Sequence, residues 1–489
     1  MSDTASGLLG DTAWHGGFYS GGWKAAGNAQ DVIEPASGRK LGRVGVATPD
    51  DIARAAIAAH EAQADWANQP YDTRARILRS AAAQLEGQAG ELADWIVRET
   101  GSIRPKADFE IGITVRCLHE AAAMPSQAQG QVLPGTPDRI SLCRRVPLGV
   151  VGVISPFNFP LYLAMRAVAP ALAVGNAVVL KPDLRTAVSG GVSIARLFER
   201  AGLPRNVLHV LPAAADAGAA LCSDDNVAMI QFTGSTPAGR KVGELASRHL
   251  KKVSLELGGK NTLIVLDDAD LDLAASNAAW ASYLHQGQIC MSAGRILVQQ
   301  KIAGAFADKL ATRARHLPVG DPSTAQVALG PLINAQQRDH AHDIVQRSAA
   351  AGARVEAGGS YEGLYYQPTV LSGVQPGMPA FEEEVFGPVA ALTSFDSDDE
   401  AVALASRTAY GLSAGVISAS LQRALAIGNR LRVGLLHIND QTVADDVLNP
   451  FGGRGISGNG TSIGGPANWE EFTQWQWVTI KGSATPYPF

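Results

Sequence analysis

The first half of the chain alternates short apolar runs with longer amphipathic stretches. The apolar runs, rich in β-branched residues, lie at 150–154, 177–181, 206–211, 227–232 and 253–257. The helix-like patterns between them lie at about 160–174, 186–201 and 237–250. Continuous apolar strands joined by helices are typical of a parallel sheet that is covered on both faces. We therefore predict an α/β fold with a doubly wound, Rossmann-like unit and right-handed crossovers.

A second α/β series begins near Asn261. Its strand candidates lie at 262–266, 295–299, 389–395, 414–418 and 433–438, and a helix pattern covers 272–286. The N-terminal 120 residues open with Gly-rich, hairpin-like sequence and continue with Ala-rich helix patterns at about 49–68, 72–88 and 89–100. The pattern predicts two α/β units, the first preceded by a small helical region.

The last apolar run, WQWVTIKG at 475–482, follows the final α/β element and is isolated in the sequence. An isolated strand needs a partner sheet, and another subunit could supply one.

Composition excludes several classes of function. At roughly 150 residues per domain, 489 residues suggest about three domains or subdomains. The formal net charge is 41 − 46 = −5 with no block of like charge, which argues against nucleic acid or an anionic membrane as a partner. The N-terminus does not resemble a signal peptide, and the apolar runs are too short and interrupted to span a bilayer. Four cysteines without a CxxC pair or a histidine at metal-ligand spacing predict a reduced, cytoplasmic protein without structural zinc or disulfides.

One cysteine lies in a setting that suits chemistry. Cys290 follows a helix pattern in SYLHQGQICMSAGRILV (282–298), and small residues surround it, which would let a substrate approach the sulfur. Free cysteine is also among the most buried residue types, so this segment alone leaves both interpretations open.

Two further segments place polar side chains where strands end. VSLELGGKN (253–261) carries Glu256 at the end of a strand, before two glycines. Asn158 follows a strand in GVVGVISPFNFPLYLAM (149–165) and could donate to a developing oxyanion, or could simply form a turn. The carboxyl edge of a parallel sheet is where such folds build active sites.

Three more segments suggest a bound dinucleotide. FTGSTPAGR (232–240) has Gly234 and Gly239 between a strand and a helix, where amides can face a pyrophosphate, although it matches GxGxxG poorly. Lys181 ends the strand AVVLKPD (177–183), and FEEEVFGPV (381–389) places three acids beside an aromatic residue and a Gly-Pro turn.

Taken together, the segments resemble the aldehyde dehydrogenase superfamily over nearly the whole chain. The resemblance rests on seven segments in the family's order, PFNFP, LKP, FTGST, LELGGKN, GQIC, EEEVFGPV and PFGGRGISG. The separation between Glu256 and Cys290, 290 − 256 = 34 residues, is also that of the family. The resemblance implies that Cys290 is a catalytic nucleophile.

The resemblance also implies roles for other residues. Asn158 and the backbone N–H of Cys290 would form an oxyanion hole, and Glu256 would be the general base. Lys181 would contact the adenosine ribose, Gly234 and Ser235 the pyrophosphate, and Glu384 and Phe386 the nicotinamide and its ribose. The full set of implied cofactor contacts is Ile154, Pro156, Lys181, Gly234, Ser235, Leu257, Glu384 and Phe386.

The implied organisation has three parts. Residues 1–122 and 147–257 would bind the dinucleotide, and 258–470 would form the catalytic domain with the nucleophilic cysteine. Residues 123–146 and 471–489 would form a small β element for oligomerisation, giving a homodimer or homotetramer.

Two positions depart from the family pattern. A glutamate that often follows the lysine of LKP by three residues is Leu184 here, with Arg185 beside it. We expect NAD as the cofactor. Because loss of that carboxylate removes a repulsion against the 2′-phosphate of NADP, the use of NADP stays open. A lysine usual in the family's PFGG segment is Gly455, without an evident catalytic consequence.

The segments HINDQTVADDVLNPFGG and GGPANWEEFTQWQWVT further resemble the benzaldehyde and vanillin branch of the family. Apolar residues expected in the substrate tunnel suit a flat, uncharged ring. They are Phe159, Leu163, Ile289, Met291 and Phe451. Arg166 is near enough in sequence to keep a carboxylate substrate open.

Four alternatives remain at this point. A semialdehyde or aliphatic aldehyde dehydrogenase would share every motif. A CoA-acylating relative typically lacks the general base, so Glu256 argues against it. A Cys–His hydrolase would need an orienting histidine, and only His285 lies close in sequence. A catalytically silent binding member is disfavoured by the presence of Cys290, Glu256 and Asn158.

Overall fold

A computed structural model describes residues 7–10 and 12–489. Residues 1–6 and 11, on which the comparison of the N-terminus with a signal peptide partly rests, lie outside the described residues. The α-helices are α1 Pro49–Ala67, α2 Tyr71–Gly87, α3 Ala89–Thr100, α4 Arg104–Ala123, α5 Pro160–Ala173, α6 Ser193–Arg200, α7 Ala215–Ser223, α8 Thr236–Arg248, α9 Leu271–Tyr283, α10 Ala303–His316, α11 Ala335–Ala350, α12 Pro379–Glu382, α13 Asp398–Ala405, α14 Leu421–Gly428 and α15 Ala467–Phe472.

The strands alternate with these helices through most of the chain. They are β1 Gly17–Ser20, β2 Trp23–Ala25, β3 Asn28–Ile33, β4 Lys40–Val46, β5 Gly130–Leu133, β6 Arg139–Pro147, β7 Val150–Ile154, β8 Ala177–Lys181, β9 Leu208–Val210, β10 Val227–Thr233, β11 Lys252–Glu256, β12 Asn261–Val265, β13 Ala293–Gln299, β14 Arg354–Ala357, β15 Tyr361–Glu362, β16 Tyr365–Tyr366, β17 Thr369–Ser372, β18 Val389–Phe395, β19 Tyr410–Gly411, β20 Ser413–Ile417, β21 Leu435–Ile438, β22 Arg454–Gly455 and β23 Thr473–Lys481.

The first large sheet has the predicted Rossmann-like form. Its strand order is β11-β10-β7-β8-β9-β1-β2, and the five strands from β11 to β9 are parallel. β8 and β9 lie on one side of β7, and β10 and β11 lie on the other, so the strand order reverses between β7 and β10. Ligands bind in the crevice at such a reversal, outside the carboxyl ends of the strands. The prediction of an α/β, doubly wound fold is confirmed.

The second large sheet contains the strands predicted after Asn261. Its order is β14-β17-β18-β13-β12-β20-β21, parallel except for the edge pair β14 and β17. Helices cover both faces of its central strands, which accordingly carry apolar residues on both sides. β12 and β20 are buried at every position.

The partner sheet that the tail strand needs is supplied by the same chain. β23 pairs with β6 of the same chain, in register from Thr473 opposite Pro147 to Lys481 opposite Arg139. With β5 they form a three-stranded antiparallel sheet in which β23 is an edge strand. The family resemblance placed these two segments in one β element, whereas the local sequence pattern carries no signal for the pairing because the strands are more than 300 residues apart.

Helix ends follow local chemistry. At α1 the side chain of Thr48 accepts the backbone N–H of Asp51, and the Asp51 carboxylate accepts the N–H of Thr48. This reciprocal capping box satisfies two N–H groups that the helix leaves free. α5 begins at Pro160. Proline lacks a backbone N–H, but an N–H in the first turn of a helix has no acceptor within the helix, so no hydrogen bond is lost.

Two predicted helices differ in detail. The pattern at 186–201 forms a 3₁₀ turn at Leu184–Thr186, a π-helical turn at Val188–Val192 and then α6. The pattern at 272–286 ends earlier, because α9 stops at Tyr283 and the chain beyond it enters the left-handed region. Among the described residues, no helix is long and apolar enough to cross a lipid bilayer.

Candidate active site

A cavity of about 820 Å³ opens at the carboxyl edge of the first sheet, at the reversal between β7 and β10. The sequence-predicted site residues all lie in its wall. Those residues are Ile154, Pro156, Asn158, Phe159, Leu163, Lys181, Gly234, Ser235, Glu256, Leu257, Ile289, Cys290, Met291, Glu384, Phe386 and Phe451. Residues from both large α/β units therefore meet in one cavity, whose volume is in the range of ligand sites.

Asn158 lies in the loop between β7 and α5 and is 4% exposed. Its Nδ2 donates to the carbonyl of Gln288 at 2.9 Å, which links the loop to the segment before Cys290. Its Oδ1 has no hydrogen-bond partner among the described residues. The second N–H of the amide is available to another acceptor.

A buried ion pair that the sequence did not reveal supports this loop. Lys106 Nζ donates to Glu110 at 2.6 Å and to the carbonyl of Asn158 at 2.7 Å. The other oxygen of Glu110 accepts the first free N–H groups of α5, from Leu161 at 2.8 Å and Tyr162 at 3.2 Å. Lysine and glutamate four residues apart usually indicate an exposed helix face. Here tertiary packing buries both groups almost completely.

The segment before Cys290 has an unusual backbone. His285 and Gln286 have φ of 48° and 56°, values that non-glycine residues adopt rarely and at a cost. Gln286 Nε2 donates to the carbonyls of Gly101 and Pro331 at 2.9 and 2.7 Å, and these bonds hold the strained turn. No local sequence signal predicts this turn.

Asn261, from the segment LELGGKN, holds the backbone at and after Cys290. Its Nδ2 donates to the carbonyl of Cys290 at 2.7 Å and to that of Ser292 at 2.8 Å. Its Oδ1 accepts the N–H of Ser413 at 3.0 Å. The motif contained this residue, but nothing in the sequence indicated which backbone it would bind.

Burial raises the pKa of the Cys290 thiol to about 12, and the carboxyls of Glu384 and Glu256 add to the effect. A thiolate is the nucleophilic form of cysteine, so the thiol needs a nearby positive charge or a base to react at neutral pH.

Glu256 ends β11 with its carboxyl group buried in the cavity wall. Neither carboxyl oxygen has a hydrogen-bond partner among the described residues. Burial raises the pKa of this carboxyl well above its usual value, Arg166 opposes the rise, and Asp445 and Glu471 increase it. A carboxyl with a raised pKa is suited to act as a base near neutral pH.

Three polar side chains that we call the polar corner lie in the same cavity wall: Tyr162, Arg166 and Asp445. Arg166 Nη1 donates to Asp445 Oδ2 at 2.6 Å, and the Tyr162 hydroxyl donates to the same oxygen at 3.1 Å. The guanidinium carbon of Arg166 lies 4.6 Å from the ring centre of Phe451. The cation considered for a carboxylate substrate is therefore already paired with Asp445.

The loops after β8 and β10 also contribute residues to the cavity wall. Lys181 ends β8, and burial lowers the pKa of its amine. Asp183 forms an ion pair with Arg185 at 2.6 Å, and both line the cavity. Leu184 does not line it. The carboxylate that lines the cavity beside Lys181 is thus that of Asp183.

Glu384 and Phe386 come from the loop after α12. Glu384 Oε1 accepts the N–H of Gly259 at 3.0 Å, and burial raises the pKa of the carboxyl to about 6. A Cβ at Gly258 would lie 2.3 Å from Glu384 Oε2, so a larger residue there would displace the Glu384 carboxylate from its present position. Phe386 has φ of 51° and its ring meets that of Phe157 edge-on at 6.0 Å.

His285 does not form a catalytic pair with Cys290. Its ring is fully buried and packs edge-on against Phe159, with centres 5.7 Å apart. Burial, with Lys106 nearby, holds the pKa of the imidazole well below its usual value.

The cavity has polar atoms suited to a bound ligand. Besides those of Asn158 and Glu256, the side-chain oxygens of Ser155 and Gln231 are buried without a hydrogen-bond partner among the described residues. Buried polar atoms are normally paired, so these are natural partners for a polar cofactor or substrate.

Comparison with known proteins identifies the family. The model of the aldehyde dehydrogenase family matches residues 23–478. The chain is 56% identical to a vanillin dehydrogenase from Amycolatopsis sp. over 484 residues, covering 99% of this chain and 100% of the relative. It is 51% identical to a benzaldehyde dehydrogenase [NAD(+)] from Pseudomonas putida, covering 97% and 98% of the two chains.

Comparison with solved structures supports the same family. A betaine aldehyde dehydrogenase from Staphylococcus aureus in complex with NAD+ superposes with a TM-score of 0.94 at 28% identity, covering 98% of this chain and 97% of the other. An NADP-dependent enzyme from E. coli superposes with a TM-score of 0.93 at 33% identity, covering 96% and 99%. The chain belongs to the aldehyde dehydrogenase family.

Proposed function

We propose that this enzyme oxidises aromatic aldehydes of the benzaldehyde and vanillin type to carboxylic acids, with NAD as cofactor. The observation that carries the proposal is the meeting of Cys290, Asn158 and Glu256 in one cavity with apolar walls. The named relatives act on such aldehydes, and one of them carries NAD(+) in its name.

The chain's own groups can perform the bond changes. Attack of the Cys290 thiolate on the aldehyde carbon forms a thiohemiacetal and places negative charge on the former carbonyl oxygen. The free N–H of the Asn158 amide and the backbone N–H of Cys290 would stabilise that charge by roughly 3 kcal/mol per donor.

When bound, NAD would supply the acceptor for the hydride that leaves the thiohemiacetal carbon. The loops after β7, β8 and β10 would hold it, together with Gly234 and Ser235 before and at the start of α8 and with Glu384 and Phe386 in the same cavity wall. The unpaired oxygens of Ser155 and Gln231 fit a polar cofactor.

Loss of hydride leaves a thioester on Cys290. Glu256, in its ionised form, would take a proton from water, which attacks the thioester and releases the acid and the thiol. This step separates the proposed reaction from CoA acylation, and identifying the product as free acid distinguishes the two.

Substrate preference is the first expected result. The ring of benzaldehyde should contribute roughly 2 kcal/mol or more of apolar burial against Phe159, Leu163 and Phe451. We expect kcat/KM for benzaldehyde to exceed that for acetaldehyde by at least about tenfold. The rate is followed by the absorbance of NADH when NAD is supplied and of NADPH when NADP is supplied. The two series together measure the preference for substrate and for cofactor. An equal or higher kcat/KM for acetaldehyde or succinic semialdehyde would contradict the aromatic assignment and leave the family unaffected.

The proposed organisation keeps the three parts predicted from the sequence. Each large sheet draws its strands from one proposed domain, and the three-stranded sheet joins β5 and β6 to β23. That sheet exposes Trp475, Trp477 and Ile140, which supports a role in forming a homodimer or homotetramer. All four cysteines lie in the described residues as free thiols, in keeping with the proposed cytoplasmic location.

A further inference from the structure

Lys106 and Glu110, the buried ion pair of α4, have no part in the proposed bond changes. Their side chains are 1% and 0% exposed. Burying two charges is costly, and apolar residues of similar size often give equal or greater stability. α4 also packs against α5 through apolar residues of one shared core. Docking of the two helices therefore does not by itself account for the pair.

Lys106 contacts the loop that carries Asn158 in two ways. Its Nζ donates to the backbone carbonyl of Asn158 at 2.7 Å, besides the bond of 2.6 Å to Glu110. The same Nζ lies 4.1 Å from the ring centre of Phe159, within the range of a cation–π contact. One ammonium group thus holds two successive residues, the proposed oxyanion donor and a residue of the cavity wall.

Glu110 holds the next part of the same segment. Its Oε1 accepts the backbone N–H groups of Leu161 and Tyr162 at the start of α5. The first N–H groups of a helix have no acceptor within the helix, and a negative charge is favourable at that end. The segment from Asn158 to Tyr162 is therefore fixed at several points by one pair of side chains that are bound to each other.

The side chain of Asn158 needs such support from its backbone. Its amide makes a single hydrogen bond to the described residues, from Nδ2 to the carbonyl of Gln288 at 2.9 Å. The second N–H of Nδ2 is the proposed donor to the oxyanion. A donor is effective only within hydrogen-bond distance of the position where the charge develops. A misplacement of about 1 Å can cost about a hundredfold in rate.

We propose that Lys106 and Glu110 are positioning residues that hold the amide of Asn158 where it can bind the oxyanion of the thiohemiacetal. The inference rests on the proposed role of Asn158. Lys106 acts through the backbone of Asn158, and Glu110 acts through Lys106 and the first turn of α5. Removal of the pair therefore slows hydride transfer only while the amide of Asn158 is present.

The test is a double-mutant cycle between the ion pair and Asn158, measured as the rate of the first NADH turnover with benzaldehyde and NAD. Lys106→Met/Glu110→Gln, which we call the pair variant, leaves no uncompensated buried charge, and glutamine can still accept the N–H groups of α5. We expect the pair variant to be slower than the wild type by about tenfold or more. In the Asn158→Ala background the same changes should cost less than about threefold, because alanine keeps the carbonyl but has no amide to position.

Arg104→Met/Asp108→Asn is the matched control. Arg104 and Asp108 form an ion pair with the same spacing on the same helix, but both side chains are about half exposed. An exposed pair contributes little to stability and has no contact with Asn158, so the first turnover should keep its wild-type rate. Quenching of intrinsic fluorescence by NAD checks that each variant is folded and binds the cofactor.

Lys106→Arg is a second variant for the same cycle, in case the pair variant does not fold. Arginine keeps a cation beside Glu110, but its planar guanidinium is larger than an ammonium group and cannot take the same position. We expect it to slow the first turnover by about fivefold or more in the wild-type background and by less than about twofold with Asn158→Ala.

The outcomes separate the inference from the proposed function. Equal slowing by the pair variant in both backgrounds would mean a general structural role, and a pair variant as fast as the wild type would mean no role. Either result overturns the inference and leaves the proposed function intact. Asn158→Ala as fast as the wild type would overturn the oxyanion role of Asn158 and the inference with it. Failure of the wild type to oxidise benzaldehyde would contradict the aromatic substrate alone, because the cycle can use any aldehyde that the enzyme oxidises.

Discussion

Cys290→Ala is expected to lower aldehyde oxidation by at least about a thousandfold, because the variant lacks the thiol proposed to form the covalent intermediate. Fold and NAD binding should persist, since a methyl group replaces a small side chain whose backbone Asn261 holds. NADH absorbance measures the reaction, and quenching of intrinsic fluorescence by NAD measures binding.

Cys143→Ala is the control for this result. Cys143 lies in β6, outside the cavity wall, and is also a free thiol. It should retain wild-type activity. If pure Cys290→Ala kept more than a few per cent of wild-type turnover, another group would have to form the covalent intermediate.

Glu256→Gln should slow steady-state turnover by about a hundredfold or more while preserving a rapid first turnover of NADH. The reason is that the carboxyl is proposed to act on water in the hydrolysis of the thioester, after hydride has left. Rapid mixing with excess aldehyde should therefore show a burst close to one NADH per site, followed by a slow phase.

The expected pH dependence of thioester hydrolysis follows from the environment of Glu256. Burial raises the pKa of its carboxyl, so at low pH the group is neutral and cannot accept a proton. Thioester hydrolysis in the wild type should increase as pH rises through that elevated pKa, which lies above the usual value of 4.5. In Glu256→Gln this rise should be absent.

Glu470→Gln provides the matched change, because Glu470 is an exposed acid paired with Arg145. It should leave both phases unchanged. Equal loss of burst and steady state in Glu256→Gln would mean that Glu256 acts before hydride leaves, for example by removing the proton of Cys290.

Residues of the site differ in how far the sequence could identify them. Cys290, Glu256 and Asn158 could be predicted as site residues because each lies in a short segment whose residue order resembles the family. Lys106 and Glu110 have the spacing of an ordinary surface pair, and only the docking of α4 against α5 buries them next to Asn158. The strained turn at His285 depends on bonds to segments more than 40 residues away.

The sequence by itself determined the alternation of strands and helices, since apolar periodicity is a local property that each segment carries alone. It also identified the chemistry-bearing segments, because their residue order is readable without coordinates. Only the tertiary structure decided that β23 pairs with β6, that Asp183 rather than Leu184 lines the cavity, and that Arg166 is paired with Asp445. Each of these depends on which distant segments pack together, and burial and pairing of polar groups have no local signature in the chain.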